Sequence, residues 1–397
     1  MVISKKVRLV RNMIRRGSHL VTLLCTIQVA VGLNPDVVLQ RSITKHGYEA
    51  ELHKVVTEDG YILGMSRIPG LGKPPLLIMH GLLGCSADYT VQGPEKSLAF
   101  LAADSGYDVW LGNNRGTTFS KNHSTLDPNS KHFWDFSFHE LGVYDLPAMV
   151  NYILQATNSE KLHYVGHSQG TTQFFVLTSS RPEYNEKFSS VHLSAPVAFL
   201  DHATTPAIYL VNRVDELMAA SQLMQIHNLF GRGHPKSYMD TIAFASRTGY
   251  LPPDLILTNI WYFIGYHDSI NRTLLPDILE TTPAGASVLQ LLHYIQIYNA
   301  KRFQQFDHSP EENLRRYNST IPPEYPLHRI TTPVHLYTSE YDNFNQPQDV
   351  DQLTQRLPNV ALKFKVPVAR WNHLDFFFDI DAHHLYRVML GAMAKLN

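Results

Sequence analysis

Residues 162–180 read LHYVGHSQGTTQFFVLTSS. The apolar stretch 162–166 has the length and composition of a buried strand, and 171–180 has the character of a helix. Between them, GHSQG fits G-x-S-x-G, the tight turn that presents a serine hydroxyl at the edge of a sheet where a strand gives way to a helix. Glycine is needed at 166 and 170 because side chains there would collide with the neighbouring strand and helix. Ser168 is thereby a candidate nucleophile, and the bland alternative is a Gly-rich turn with an incidental serine.

On either side of this stretch, short apolar runs recur at 75–81 (PLLIMHG), 107–113, 190–197, 333–342 and 362–369. Continuous apolar runs, rather than strict alternation, suit strands covered on both faces. Amphipathic stretches at 93–104, 139–156, 170–180 and 348–356 lie between them, and this alternation predicts a doubly wound, mostly parallel α/β sheet. Residues 47–69 suit an antiparallel hairpin turning at Glu58-Asp59-Gly60. The alternation breaks over 201–325, which is rich in Leu, Ile, Tyr, His and Met at helical spacing and shows no clear strand. That stretch reads as a helical cap or lid inserted between two late strands. The expected organisation is therefore a core of 33–200 and 326–397 interrupted by a cap at 201–325.

The 397 residues are 44% apolar and 17% charged, which excludes a disordered chain. Of the 34 basic residues, six (Lys5, Lys6, Arg8, Arg11, Arg15, Arg16) fall in 1–32, which has no acidic residue. The remainder holds 28 basic against 35 acidic side chains, a mildly acidic balance unlike that of a nucleic-acid binder. The basic stretch is followed by the apolar run His19–Leu33 and the small residues Ala30 and Gly32, the pattern of a secretory signal peptide cleaved after about Gly32. A membrane anchor is the rival, but spanning takes about 20 apolar residues and this run is shorter. Export fits the sequons at Asn122, Asn271 and Asn318, candidate glycosylation sites. Of the two cysteines, Cys25 lies in the signal, so Cys85 stands alone without an internal disulfide and reads as a packed side chain.

A serine hydroxyl needs a base, itself held by a carboxylate. On this scaffold the partners follow the serine in the order acid, then histidine, each after a late strand. His373, in WNHLDF (371–376), is the candidate base; Asp342, Glu340 and Asp349 compete for the acid, and position does not choose among them. The oxyanion donors are expected from the backbone N–H of Gln169, after the nucleophile, and of Leu82 in the loop HGLLG (80–84).

Together HGLLG, NNRGTTFSKNH (113–123), FWDFSFHELGVYDLPA (133–148), GHSQG, the Asp342 segment, WNHLDF, PAGASV (283–288) and FQQFDH (303–308) resemble the acid lipase family, from about residue 36 to the end. The resemblance implies an α/β-hydrolase fold with a helical lid and a triad of Ser168, Asp342 and His373. It also implies hydrolysis of long-chain carboxylic esters such as triacylglycerols or cholesteryl esters at an oil–water or membrane interface. No metal, organic cofactor or obligatory protein partner is implied, and the destination is extracellular or lysosomal. Two features depart from the family: the cap has no cysteine where well-known members form a disulfide, and TSEYDNFNQPQDV lacks the usual glycine before the aspartate. An esterase for other esters, such as steryl, retinyl or wax esters, and a catalytically silent lipid-binding relative are the competing readings.

Overall fold

The computed structural model describes residues 34–232 and 238–396, so the signal-peptide expectation for 1–32 lies outside the described residues. Eight strands form one sheet: β1 Glu51–Val56, β2 Ile62–Ile68, β3 Pro75–Met79, β4 Asp108–Gly112, β5 Leu162–His167, β6 Phe188–Ser194, β7 Val334–Thr338 and β8 Val360–Lys365. Their order across the sheet is β1-β2-β4-β3-β5-β6-β7-β8. The hairpin β1–β2 and the pair β2–β4 are antiparallel, and all the other pairs are parallel. The order reverses at β3–β5, and a sheet that reverses there opens a crevice at the carboxyl ends of its strands.

β3, β4, β5 and β7 are buried along their whole length, as continuous apolar runs between two helical layers require. Within β3, Leu77 and Met79 join one core with α3 (Leu146–Thr157) and α4 (Gln169–Ser180), while Leu76 and Ile78 join the opposite core with α1 (Pro35–Thr44), α2 (Leu98–Asp104) and the C-terminal helix Ala382–Met393. The run at 362–369 turns out differently. The strand covers 360–365, lies at the sheet edge and alternates half-buried with exposed residues, so Leu362 and Phe364 face inward while Lys363 and Lys365 face water.

The helix expected at 139–156 is interrupted. A capping box at Ser137 and Glu140 opens a short helix, residues 141–145 form a π turn, and α3 begins at Leu146 with Pro147 in its first turn, where no N–H is required. Between β6 and β7 the chain leaves the sheet for residues 195–333, called the insertion below. It contains the helices Val214–Leu223, Tyr238–Arg247, Pro253–Ile264, Leu275–Thr281, Val288–Ala300 and Pro310–Tyr317. It also contains a two-stranded ribbon, Asn228–Leu229 against Ala286–Ser287, too short to leave a periodic trace in the sequence. Among the described residues no helix is long and apolar enough to cross a membrane.

Candidate active site

β5 ends at His167, and the next residue, Ser168, takes φ 51° and ψ −114°. A residue other than glycine is strained in that region and persists only where its surroundings fix it. Here they do: the Ser168 N–H donates to Ser194 O at 3.0 Å, and its own carbonyl accepts from Thr171 and Thr172 as α4 begins. The two flanking glycines are sterically required. A Cβ on Gly166 would come within 2.7 Å of the Gly170 carbonyl, and one on Gly170 within 2.7 Å of the Met79 carbonyl.

His373 reaches this serine from the loop after β8. Its Nε2 lies 2.8 Å from Ser168 Oγ, and its Nδ1 lies 2.7 Å from Asp342 Oδ2. Asp342 is fully buried and its Oδ1 accepts the backbone N–H groups of Phe344 and Asn345 at 2.9 and 3.0 Å. Burial alone would raise this carboxyl, but the imidazole and the two amides hold it below the ordinary aspartate value. An ionised carboxylate can only accept, so Nδ1 of His373 carries its proton and Nε2 is left to accept from the serine. The three acids left open by position go to different places. Glu340 is exposed and pairs with Lys365 at 2.5 Å, while Asp349 lies in the first turn of Pro347–Arg356 and accepts from His202 Nδ1 at 2.8 Å. Only Asp342 meets His373.

Gln169 is the first residue of α4, where N–H groups lack an intrahelical acceptor. Leu82 lies in the HGLLG loop, which runs against Ser168 so closely that a Cβ on Gly81 would stand 3.0 Å from Ser168 Cβ. His80 anchors this loop. Its Nδ1 donates to Gly81 O at 2.8 Å, its Nε2 accepts the Asn114 N–H at 3.1 Å, and burial lowers its pKa to about 4, so it stays neutral. Leu83 has φ 66°, and its carbonyl accepts the Ala284 N–H of the insertion at 2.7 Å. Beneath the loop, Asp88 accepts from Cys85 N at 2.9 Å and Thr282 Oγ1 at 2.5 Å, and burial pushes its carboxyl up to about 6. Cys85 is buried, and burial pushes its thiol up to about 12, which suits packing rather than reactivity.

Several contributors escaped sequence reasoning. His167 occupied only a variable place in G-x-S-x-G, yet its Nε2 donates to the His373 carbonyl at 2.9 Å, and burial followed by the neighbouring His373 lowers its pKa well below the ordinary value. Arg115, in the NNRG stretch, is buried with its Nε 2.7 Å from Asp145 and its two terminal nitrogens 2.6 and 2.8 Å from Asp59, stacked 3.8 Å over Tyr61. Burial opposes its charge, but the two carboxylates raise its pKa above the ordinary arginine value. Asp375 stands two residues after His373, and His267 approaches it from the insertion at 2.7 Å. An acid two residues after His373 was the one available sequence signal; nothing marked His267.

The aromatic residues 261, 262, 263, 294 and 298 of the insertion divide. Trp261 and Tyr298 pack against neighbouring clusters and Tyr294 bonds Thr172 at 3.0 Å, whereas Tyr262 and Phe263 are exposed. Asn122, Asn271 and Asn318 are all exposed. Two groups, His267/Asp375/Asp379 and Asp381/His383/His384, bring metal-ligand atoms within 4.8 Å of one another. In the first, the Asp375 oxygens already accept from Asn372, His267 and Ser269.

Residues 74–379 match the model described as "alpha/beta hydrolase fold", and residues 39–93 that described as "partial alpha/beta-hydrolase lipase region". The chain belongs to the α/β-hydrolase fold family. Its similarities fall among lipases: it is 41% identical to Lipase 1 of Drosophila melanogaster over 360 residues, covering 90% of this chain and 80% of that protein. It is 37% identical to the gastric triacylglycerol lipase of Rattus norvegicus over 379 residues, covering 91% and 93%. The resemblance drawn from HGLLG, GHSQG and WNHLDF is borne out, and fold and relatives together support a carboxylic ester hydrolase. A soluble variant of monoglyceride lipase from Saccharomyces cerevisiae shares the fold, with a TM-score of 0.54 at 14% identity, over 87% of this chain and 96% of that one.

Proposed function

We propose that the protein is a serine lipase that hydrolyses fatty-acid esters of the triacylglycerol type through an acyl-enzyme. The observation that carries this reading is the bridge His373 makes between Ser168 (2.8 Å) and Asp342 (2.7 Å). In this reading His373 Nε2 takes the Ser168 proton as Oγ attacks the ester carbonyl. Asp342 holds the productive tautomer and stabilises the imidazolium. The N–H groups of Leu82 and Gln169 receive the oxyanion, each contributing about 3 kcal/mol to transition-state stabilisation. His373 then protonates the departing alcohol, and a water deprotonated by the same imidazole releases the fatty acid.

The insertion supports a lipid ester as substrate. Leu223, Met224 and Tyr209, and separately Leu255, Tyr262, Phe263 and Tyr266, are exposed, a density of outward apolar residues characteristic of surfaces that meet another phase or partner. We assign residues 201–325 as the cap, an oil–water or membrane interface as its contact, and the secretory pathway as the route, with 1–32 as signal and Asn122, Asn271 and Asn318 open to glycans.

The test is secretion of residues 33–397 and measurement of fatty-acid release from emulsified triolein and cholesteryl oleate between pH 4 and 8, beside Ser168→Ala. Release that vanishes in the variant is the expected result, with faster turnover once substrate exceeds its solubility. Folded protein that releases nothing from any ester, short ones included, would overturn the enzymatic reading in favour of lipid binding.

A further inference from the structure

The loop that carries His373 is held from both halves of the molecule. On the core side His167 Nε2 donates to its carbonyl at 2.9 Å. Around it, Asn372 and Asp375 form a reciprocal cap: Asn372 Oδ1 accepts the N–H groups of Leu374 and Asp375 at 2.9 and 3.2 Å, and Asp375 Oδ2 accepts the Asn372 N–H at 2.6 Å. His373 is thus enclosed in a turn whose shape is set by one carboxylate, and that carboxylate is fully buried.

A buried carboxylate needs donors. Among the described residues, one comes from within the turn and two come from the insertion. His267 Nδ1 lies 2.7 Å from Asp375 Oδ2, and Ser269 Oγ lies 3.2 Å from Asp375 Oδ1. The same segment closes around the turn with its backbone: Gly265 O accepts Asn372 Nδ2 at 3.2 Å, Ser269 O accepts the Ile380 N–H at 3.2 Å, and Ile270 bridges Asp379. Asp379 Oδ2 stands 3.5 Å from His267 Nδ1, so that nitrogen faces two acidic side chains and bonds the nearer.

We propose that His267, assisted by Ser269, is a positioning residue for His373, acting through Asp375 and coupling the insertion to the catalytic base. Resting on the serine-hydrolase reading above, this assigns the segment 265–270 a part in the reaction without any contact to substrate. Removing His267 takes away the nearer of the two donors that reach Asp375 from the insertion. The carboxylate then draws toward water and the turn it shapes loosens, displacing Nε2 from Ser168. A displacement near 1 Å at a reacting group lowers turnover by about 10²-fold.

The test uses the secreted chain and p-nitrophenyl butyrate, a soluble ester that needs no interface, with folded sites counted by titration with diethyl p-nitrophenyl phosphate. His267→Ala is expected to lower kcat about 10- to 100-fold with KM within about twofold. His267→Asn, whose amide nitrogen falls close to Nδ1, is expected to restore kcat to within about threefold. A downfield proton NMR resonance from His373 Nδ1–H, present in the wild type, is expected to broaden or vanish in His267→Ala and return in His267→Asn.

An unchanged kcat per titrated site in His267→Ala, or a His267→Asn variant as slow as His267→Ala, would overturn the proposal. If His267→Ala does not fold, Ser269→Ala takes its place, with a smaller kcat loss of about two- to fivefold expected and no loss counting against the proposal. A wild type that neither hydrolyses the ester nor reacts with the phosphate fails the serine-hydrolase reading instead, and the NMR resonance would still report whether His267 orders the turn.

Discussion

Two twelve-residue helices make opposite use of apolar composition. α4, directly after Ser168, reads QGTTQFFVLTSS and buries every residue from Gln169 to Ser179, including three threonines and two glutamines. The insertion helix Pro253–Ile264, PDLILTNIWYFI, is far more apolar and yet fully buries only Leu257 and Ile264. Position, not composition, decides the outcome. α4 lies between the sheet and the insertion, where its threonine hydroxyls find carbonyls: Thr172 Oγ1 donates to Val197 O at 2.7 Å and Thr178 Oγ1 to Phe174 O at 2.8 Å. Pro253–Ile264 has a protein neighbour on one side only and turns Leu255, Tyr262 and Phe263 outward. The core is built to fix atoms, and the insertion both presents a surface and reaches back to brace what the core holds.

The largest effect should follow from breaking the core side. Ser168→Ala removes only an oxygen, so the fold should keep its thermal midpoint while hydrolysis of every ester falls by at least about 10⁴-fold. Residual activity within 100-fold of wild type, measured on the same soluble ester, would place the nucleophile elsewhere. Next comes a contrast between two arginines. Arg115→Met leaves Asp145 buried without its cation and should cost about 3–5 kcal/mol in urea unfolding. Arg247→Met, in the insertion, loses only half-exposed pairs with Asp277 and Glu280 and should cost less than about 1 kcal/mol. Equal losses would mean that burial does not separate the two regions energetically.

Much of the core could be read from the sequence for the same reason that it is rigid. Strands buried on both faces must be largely apolar, and the elbow needs glycine where Gly166 and Gly170 approach backbone within 2.7 Å. Such constraints act over few residues and leave short patterns. The acid was harder: Asp342, Glu340 and Asp349 are close along the chain, and only the fold separates the one that meets His373 from those that meet Lys365 and His202. The insertion's contributions were out of reach. His267 lies 108 positions from Asp375, and no local periodicity records a contact of that span. The π turn at 141–145 is likewise a tertiary compromise, since a Cβ on Gly142 would stand 2.5 Å from Val176 and the segment must pass α4 there.

Acid should act on the two sets of buried titratable groups in opposite senses. Burial lowers His80 to about 4 and His293 to about 3, and holds His192 well below its ordinary value. The unfolded chain binds more protons there between about pH 3 and 6.5, so the histidine contribution is present above 6.5 and is lost as pH falls. Burial raises Asp88 and Asp375 to about 6. For these the folded chain binds more protons between 3.8 and 6, so their contribution returns as pH falls through that window. The histidine shifts are larger and more numerous, and the thermal midpoint should decline from pH 7 to pH 4. His293→Gln should flatten that decline, because His293 Nε2 already donates to Gln304 O at 2.9 Å and Nδ1 faces a Ser137 hydroxyl shared with Glu140. A midpoint that rises on acidification would show that the carboxyls around the site outweigh the histidines.

A smaller effect should mark the presented surface. Tyr262→Ser with Phe263→Ser alters exposed side chains and should leave turnover of p-nitrophenyl butyrate unchanged while slowing hydrolysis of emulsified triolein several-fold. Parallel losses on both substrates would mean that these residues serve the site and not the interface.

The smallest expected effect lies at the seam between the two regions. Gln290 opens the insertion helix Val288–Ala300 in a capping box, its Oε1 accepting the Ser287 N–H at 2.8 Å. Its Nε2 donates to Gln169 Oε1 at 2.9 Å, beside the amide assigned to the oxyanion. Both glutamines are nearly fully buried. Gln290→Met fills the same volume and removes both bonds, leaving an acceptor and a donor unmatched, a loss of about 1–2 kcal/mol. Gln169→Met alone should cost a similar amount. The Gln169 N–H comes from the backbone and is set by the elbow, so activity should change by no more than a few-fold in either variant. If the amide pair welds the insertion to the elbow, the double variant should cost less than the sum of the two single changes, because no Gln169 acceptor then remains to be stranded. Strictly additive losses in urea unfolding would mean that the helix only rests on α4, leaving contacts such as His267–Asp375 and Ala284–Leu83 to couple the insertion to the site.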